Sequence, residues 1–97
     1  MSKAMNKEEA ERVGNEVASR YRARPREELL RYLKEQDVFE VVAPSGTRYQ
    51  IEVQAFWDDR RGKDLRVRIG VDDFGPSAYD PLVVDFIIAP DGSFVGE

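Results

Sequence analysis

The 97-residue sequence contains no cysteine and no histidine. Without cysteine there is neither a disulfide nor a thiolate nucleophile, and without histidine the commonest general base and metal ligand are both missing. Glycine-rich phosphate loops of the forms G-x-x-x-x-G-K-[ST] and G-x-G-x-x-G are absent as well. Together these absences predict a protein that is not an enzyme and that binds no metal and no cofactor.

Long apolar runs are also missing, and the mean hydropathy is -0.57. A membrane-spanning helix needs about 20 consecutive apolar residues, so we expect no association with a membrane. The first fourteen residues lack the apolar region of a secretory signal and carry glutamates that a mitochondrial presequence avoids. We therefore expect the protein to be cytoplasmic.

The charge balance is acidic, with a formal net charge of -4. Binding to nucleic acid is driven by lysine and arginine, and the basic residues concentrate only at Arg20, Arg22, Arg24 and Arg26. Helical positions two apart point about 200° away from each other, so these side chains do not form one basic stripe. The pattern predicts solvated arginines near a hinge and no nucleic-acid partner.

Helical periodicity characterises the first third of the chain. Asn6 offers an N-cap, and Glu9 stands three residues later, where it would complete a capping box. Apolar residues then recur at spacings of three and four, at Ala10, Val13, Val17 and Tyr21. Pro25 predicts that this helix ends near residues 22–24 and that a second helix runs to about Gln36. The second helix is expected to bury Leu29, Leu30 and Leu33.

After Asp37 the apolar period changes to two, which is typical of half-buried strands. The turns between these segments are too short for the crossovers of parallel strands, so the sheet should be an antiparallel meander. The inward-facing residues are Phe39, Val41, Tyr49, Ile51, Val53, Ala55, Trp57, Leu65, Val67, Ile69, Val71, Leu82, Val84, Phe86 and Ile88. Residues 93–95 are expected to add a short edge strand.

These segments predict one two-layer α+β domain over residues 1–97. One or two N-terminal helices pack on one face of a four- to five-stranded antiparallel β-meander. We expect residues 1–5 to be disordered, residues 6–36 to be helical and residues 38–97 to form the sheet.

Two glycines fall inside predicted elements. Gly14 should weaken its helix by about 1 kcal/mol relative to alanine unless it permits close packing. Gly70 is expected to mark a bulge or to leave room for an aromatic neighbour on the outward side of its strand. The aspartate doublets Asp58-Asp59 and Asp72-Asp73 are interpreted as turn-forming residues, because aspartate readily satisfies loop backbone groups.

The outward side of the sheet is unusually apolar for a solvated surface. The loop lengths predict a row of Gln54, Arg68 and Asp85, which would stabilise the sheet through cross-strand pairs. Phe56, Val83 and Ile87 point outward among such charges, which favours recognition of a partner; the alternative is that residues 1–6 or another subunit cover them. Phe74 and Tyr79 add aromatics in the loop at residues 72–81. The candidate partner-binding residues are Phe56, Arg66, Arg68, Phe74, Tyr79, Val83, Asp85 and Ile87.

Our leading hypothesis is therefore a small, non-enzymatic interaction or accessory domain that binds a protein partner or forms a homodimer. The alternative is a small-molecule-binding domain with a pocket between helix and sheet. Aromatic walls with a few polar groups are typical of ligand sites. The residues that would line this pocket are Tyr21, Tyr32, Tyr49 and Trp57.

Overall fold

The computed structural model describes residues 6–75 and 81–96. Its helical elements are α1 (Lys7–Arg22), α2 (Arg26–Leu29) and a 3₁₀ helix (Leu30–Leu33). The strands are β1 (Asp37–Val42), β2 (Arg48–Trp57), β3 (Leu65–Asp72), β4 (Leu82–Ile88) and β5 (Phe94–Gly96). No helix of the described residues is long and apolar enough to cross a membrane.

The strands form one sheet in the order β1-β2-β3-β4-β5, and each neighbouring pair is antiparallel. Helix α1 packs on β3 and β4, and the 3₁₀ helix packs on β2. The predicted two-layer α+β architecture with an antiparallel meander is confirmed, and residues 6–75 and 81–96 contribute five strands to the sheet. The expectation of disorder for residues 1–5 lies outside the described residues.

Only one of the two hydrogen bonds of the predicted capping box is found at the start of α1. Asn6 Oδ1 accepts a hydrogen bond from the backbone N–H of Glu9 at 3.1 Å, as expected. The Glu9 carboxylate does not complete the capping box. It turns to the sheet, where Oε1 accepts from Ser45 Oγ and from the Tyr49 hydroxyl, each at 2.8 Å. Two hydroxyl donors from another layer therefore replace the single backbone donor that a capping box would use.

The second helix is shorter than the sequence predicts. Helix α1 ends at Arg22, within the predicted range, and Pro25 precedes α2. The α-helical hydrogen bonding lasts only to Leu29, and a 3₁₀ helix continues to Leu33 instead of an α-helix reaching Gln36. A 3₁₀ helix aligns side chains three residues apart, and Leu29 and Tyr32 are both buried in the core.

The core lies between the helices and the inner face of the sheet. All the predicted inward residues of β2 and β3 except Trp57 are buried, and Trp57 is partly buried and packs against the core. Gly14 permits the close approach of α1, because a Cβ atom there would lie 2.9 Å from Val84 Cγ2 and 3.2 Å from Val71 Cγ2. The close-packing interpretation of Gly14 is therefore correct.

The arginines of the hinge region do more than face solvent. The Arg22 guanidinium carbon lies 4.6 Å from the centre of the Phe94 ring, and that of Arg24 lies 4.1 Å from the centre of the Tyr21 ring. Such cation–π contacts contribute about 0.5–1 kcal/mol at exposed sites. The description of Arg22 and Arg24 as merely solvated is corrected, because each of them lies over an aromatic ring. Arg20 is exposed, as predicted.

Candidate functional site

The face of the sheet opposite the helices is called the outer face here. Each inward residue alternates with an outward one along an extended strand, so the register defines this face. The outer face comprises Val38, Glu40, Val42, Arg48, Gln50, Glu52, Gln54, Phe56, Arg66, Arg68, Gly70, Asp72, Val83, Asp85 and Ile87. Helix α1 and the 3₁₀ helix lie on the other side, which leaves most of this surface open to solvent.

The predicted polar row is present in the expected register. Gln54 stands opposite Arg68, and Arg68 stands opposite Asp85. The ion pairs, however, are made by Arg66, which contacts Asp58 Oδ1 and Asp85 Oδ2 at 2.8 Å each. The hydrogen bonds that Arg66 donates to these carboxylates, first to Asp58 and then to Asp85, raise the pKa of Arg66. Arg68 is exposed and forms no ion pair within the described part of the chain.

The apolar residues of the outer face differ in exposure. Phe56 is 45% exposed and Val83 is 39% exposed, so both are available to a partner. Ile87 was expected to be available too, but only 7% of it is exposed. Ile87 has Arg66 beside it on β3 and Gly96 beside it on β5, so it does not lie at the sheet edge as an open side chain. The prediction that Ile87 is free for contact is therefore wrong.

Val38 is an outer-face residue that the sequence interpretation did not single out. It is 45% exposed and stands opposite Glu52 on β2. The signal was available, because Phe39 was assigned inward and a neighbour on the same strand must then point outward. Val38 and Val83 thus mark the two sides of the outer face, on β1 and β4.

Gly70 lines a small depression in the outer face. It pairs regularly with Glu52 and Val83, so neither the expected bulge nor an aromatic neighbour is found there. A Cβ atom at Gly70 would meet nothing nearer than the backbone oxygen of Glu52 at 3.9 Å. The depression has a volume of about 80 Å³ and is lined by Glu52, Gln54, Arg68, Gly70 and Pro81.

The loop after β3 is only partly described. Asp72 and Asp73 accept hydrogen bonds from the backbone N–H groups of Phe74 and Gly75, each at 3.0 Å, which confirms that they form turns. Phe74 is 51% exposed and lies under the Arg48 guanidinium, 5.6 Å from its carbon. Tyr79 lies outside the described residues.

Phe74 lies at the opposite end of the sheet from the row of Phe56, Arg66 and Ile87. It follows the end of β3, and the strand from Arg66 to Asp72 spans about 20 Å. Six of the eight candidates are brought together on the outer face: Phe56, Arg66, Arg68, Val83, Asp85 and Ile87.

The alternative set of aromatic residues does not form one pocket. Tyr49 and Trp57 lie eight residues apart on β2, which corresponds to about 27 Å along a strand. Tyr21 and Tyr32 do meet edge to face, with ring centres 5.7 Å apart. Tyr21 also lines a cleft of about 380 Å³ and donates a hydrogen bond to Asp37 Oδ2. Burial and that hydrogen bond raise the pKa of Tyr21.

No protein-family model, curated protein or solved structure matches this chain. Among residues 6–75 and 81–96, no three acidic side chains are close enough together to hold a metal ion. The function is therefore inferred from the chemistry of the outer face.

Proposed function

We propose that this protein is a non-enzymatic interaction domain that binds another polypeptide chain through the outer face of its sheet. The observation that carries the proposal is the exposure of Val38, Phe56 and Val83 on a face that the helices leave uncovered. These apolar side chains lie among Glu52, Arg68 and other charged groups, which is the mixture found in protein interfaces.

The free energy available on this face supports binding. Complete burial of a valine or phenylalanine side chain contributes about 1.5–3 kcal/mol. Because Val38, Phe56 and Val83 are each roughly half exposed, a partner that covers them would gain roughly half of that free energy from each. The exposed charges make binding specific in orientation, because a partner must place opposite charges against Glu52 and Arg68. The mixture of signs also favours a protein over nucleic acid, which would require a uniformly basic surface.

A pocket for a small molecule is less well supported. In the cleft beside Tyr21, the Asp37 carboxylate already accepts from the Tyr21 hydroxyl, and Arg24 already donates to the Tyr32 hydroxyl at 2.7 Å. A ligand would have to compete with these internal hydrogen bonds. On the outer face, by contrast, Glu52 and Arg68 form no ion pair within the described residues.

The proposal can be tested by photo-crosslinking in the cells that natively produce the protein. A benzoylphenylalanine residue is placed at Phe56 or at Val83, both on the outer face. The matched control carries it at Glu16, which is exposed on α1. We expect discrete protein adducts from the two outer-face positions and none from the control position.

A second set of variants ties any adduct to the proposed surface. In the Phe56 crosslinking chain, Arg68→Glu should reduce the adduct yield at least tenfold, whereas Lys7→Glu, which makes a change from a positive to a negative charge at an exposed position of α1, should not. The absence of adducts at both outer-face positions, or equal yields at the Glu16 position, would overturn the proposed function.

A further inference from the structure

One row of residues across the outer face begins and ends with an exposed valine. The register places Val38 of β1 opposite Glu52 of β2, Glu52 opposite Gly70 of β3, and Gly70 opposite Val83 of β4. The row therefore has an exposed valine at each end, with an acidic side chain and a missing side chain at its centre. Read in the reverse direction, the same row presents a valine, a gap, an acid and a valine.

We infer that the partner of the outer face is a second copy of this chain, packed sheet against sheet. This inference rests on the proposed function and names its partner. A two-fold axis parallel to the strands, between β2 and β3, would place Val38 of one copy against Val83 of the other. It would also place each Glu52 over the Gly70 depression of the opposite copy, because a two-fold axis repeats every contact reciprocally.

The charges at the depression fit this arrangement. Arg68 lines the Gly70 depression and forms no ion pair within the described residues, and the same holds for Glu52. A Glu52 carboxylate that enters the depression of the second copy comes beside that copy's Arg68 as well as its Glu52. Two glutamates and two arginines then surround the axis, and their charges sum to zero. Each interface then contains two such contacts, and each pairs groups that are exposed in the single chain.

The neighbouring rows are compatible with the same axis. The axis places each β2 residue against the residue of the second copy that corresponds to its own partner on β3. Phe56 therefore faces Arg66 of the second copy, and Gln54 faces its Arg68. The first contact is a cation–π pair and the second is a hydrogen-bonding pair. No like charges are brought directly together in these rows, as they would be if each Arg68 faced the other.

The size of the surface indicates a reversible dimer. Four strands spaced by about 4.8 Å, over about six residues of strand, give a footprint of roughly 19 by 20 Å. Stable interfaces bury about 800 Å² per partner, and this footprint lies below that value. We therefore expect dissociation constants in the micromolar range, where both monomer and dimer are populated at ordinary laboratory concentrations.

The test is sedimentation velocity on the full chain between about 5 and 500 µM, a range that brackets micromolar association. The wild-type mass should rise from 11.1 kDa toward twice that value with concentration. Arg68→Glu and Glu52→Arg should each weaken self-association at least tenfold, because each creates two like-charge contacts. Mixed in equal amounts, the two variants should associate with each other, because every contact in the mixed dimer again joins opposite charges.

Two kinds of control separate the interface from general charge effects and from misfolding. Lys7→Glu on α1 and Glu28→Arg on α2 make the same changes in net charge at exposed positions of the helices and should leave association unchanged. Gly70→Leu fills the depression where the structure has open space, so it should abolish association while thermal unfolding stays like that of the wild type.

The outcomes distinguish this inference from the proposed function. A wild-type chain that stays at 11.1 kDa up to 500 µM overturns the inference, as does association that the Arg68→Glu, Glu52→Arg and Gly70→Leu variants leave intact. If the chain is monomeric but Phe56 crosslinks to a different protein of defined mass, the proposed function stands with another partner. If neither association nor crosslinking occurs, both proposals fail.

Discussion

The Tyr49 hydroxyl donates a hydrogen bond of 2.8 Å to Oε1 of Glu9, and this contact joins the sheet to the first turn of α1. Ser45 donates to the same oxygen, so the carboxylate receives donors from both β2 and the turn before it. Only 7% of Glu9 is exposed. The hydrogen bonds from Tyr49 and then from Ser45 lower the pKa of Glu9, while burial and the contact with Glu9 raise the pKa of Tyr49 to about 12.

The first prediction concerns stability in acid. Because the pKa of folded Glu9 lies below its ordinary value of 4.5, the folded protein binds protons less readily than the unfolded chain. This contribution to stability is complete above pH 4.5 and is lost as the pH falls through the folded-state pKa. Glu9→Gln should therefore show a shallower loss of unfolding free energy between pH 5 and 3 than the wild type. Urea unfolding at several pH values measures the slopes, with Glu28→Gln as the control; equal slopes for wild type and Glu9→Gln would contradict the prediction.

The second prediction concerns the alkaline side. The pKa of Tyr49 is raised from 10.0 to about 12, so its contribution is complete below pH 10 and is lost as the pH rises toward 12. At pH 7, Tyr49→Phe should lower the unfolding free energy by about 1 kcal/mol, because the buried Glu9 loses a donor. The variant should also lose less stability than the wild type between pH 9 and 11. Denaturant unfolding at both pH values tests this, and a greater alkaline loss in the variant would refute it.

The third prediction compares two glycines. Alanine at position 14 would gain about 1 kcal/mol in helix propensity, but its Cβ would lie 2.9 Å from Val84 Cγ2. Because overpacking costs about 1–3 kcal/mol, Gly14→Ala should lower the unfolding free energy by about 1 kcal/mol on balance. Thermal denaturation measures the change, and Val84→Ala in the same chain should cost less than it does in the wild type. Gly70→Ala is the matched control and should change stability by less than about 0.5 kcal/mol, because position 70 has open space.

The fourth prediction compares two arginines on the same strand. Arg66→Gln should lower the unfolding free energy by about 1 kcal/mol, because it breaks two partly buried ion pairs, with Asp58 and Asp85. Arg68→Gln should change it by less than about 0.5 kcal/mol, because Arg68 has no ion pair among the described residues. Urea denaturation of both variants at low concentration, where the chain is monomeric, gives the comparison. A larger loss for Arg68→Gln would show that the ion pairs are assigned to the wrong arginine.

Several features of the fold follow from patterns that are local in the sequence. The alternation along β2 and β3, with the loop at residues 58–64 between them, was sufficient to place Gln54 opposite Arg68. The alternation correctly assigned the inner face because a strand turns successive side chains to opposite sides. The length of the second helix was wrong, since proline and leucine spacing do not distinguish an α-helix from a short 3₁₀ segment.

The partners of individual side chains were harder to predict. The alternation in the sequence placed Arg66 and Arg68 on the same face. It did not predict that Arg66 would reach both Asp58 and Asp85. The burial of Ile87 likewise depends on its neighbours, here Arg66 on β3 and Gly96 on β5. Exposure is a property of the surrounding chain, so the outward direction of a side chain does not establish that it is free.

Composition and periodicity alone thus established the two-layer class, the order of the elements and the register of Gln54, Arg68 and Asp85. These properties depend on interactions within a few residues or on loop length, which the sequence records directly. The tertiary structure alone decided that Glu9 joins α1 to Tyr49, that Arg66 takes the ion pairs and leaves Arg68 without one, and that Gly70 opens a depression beside Arg68. Each of these depends on distances between side chains from separate segments, and such distances exist only once the helices and strands have packed together.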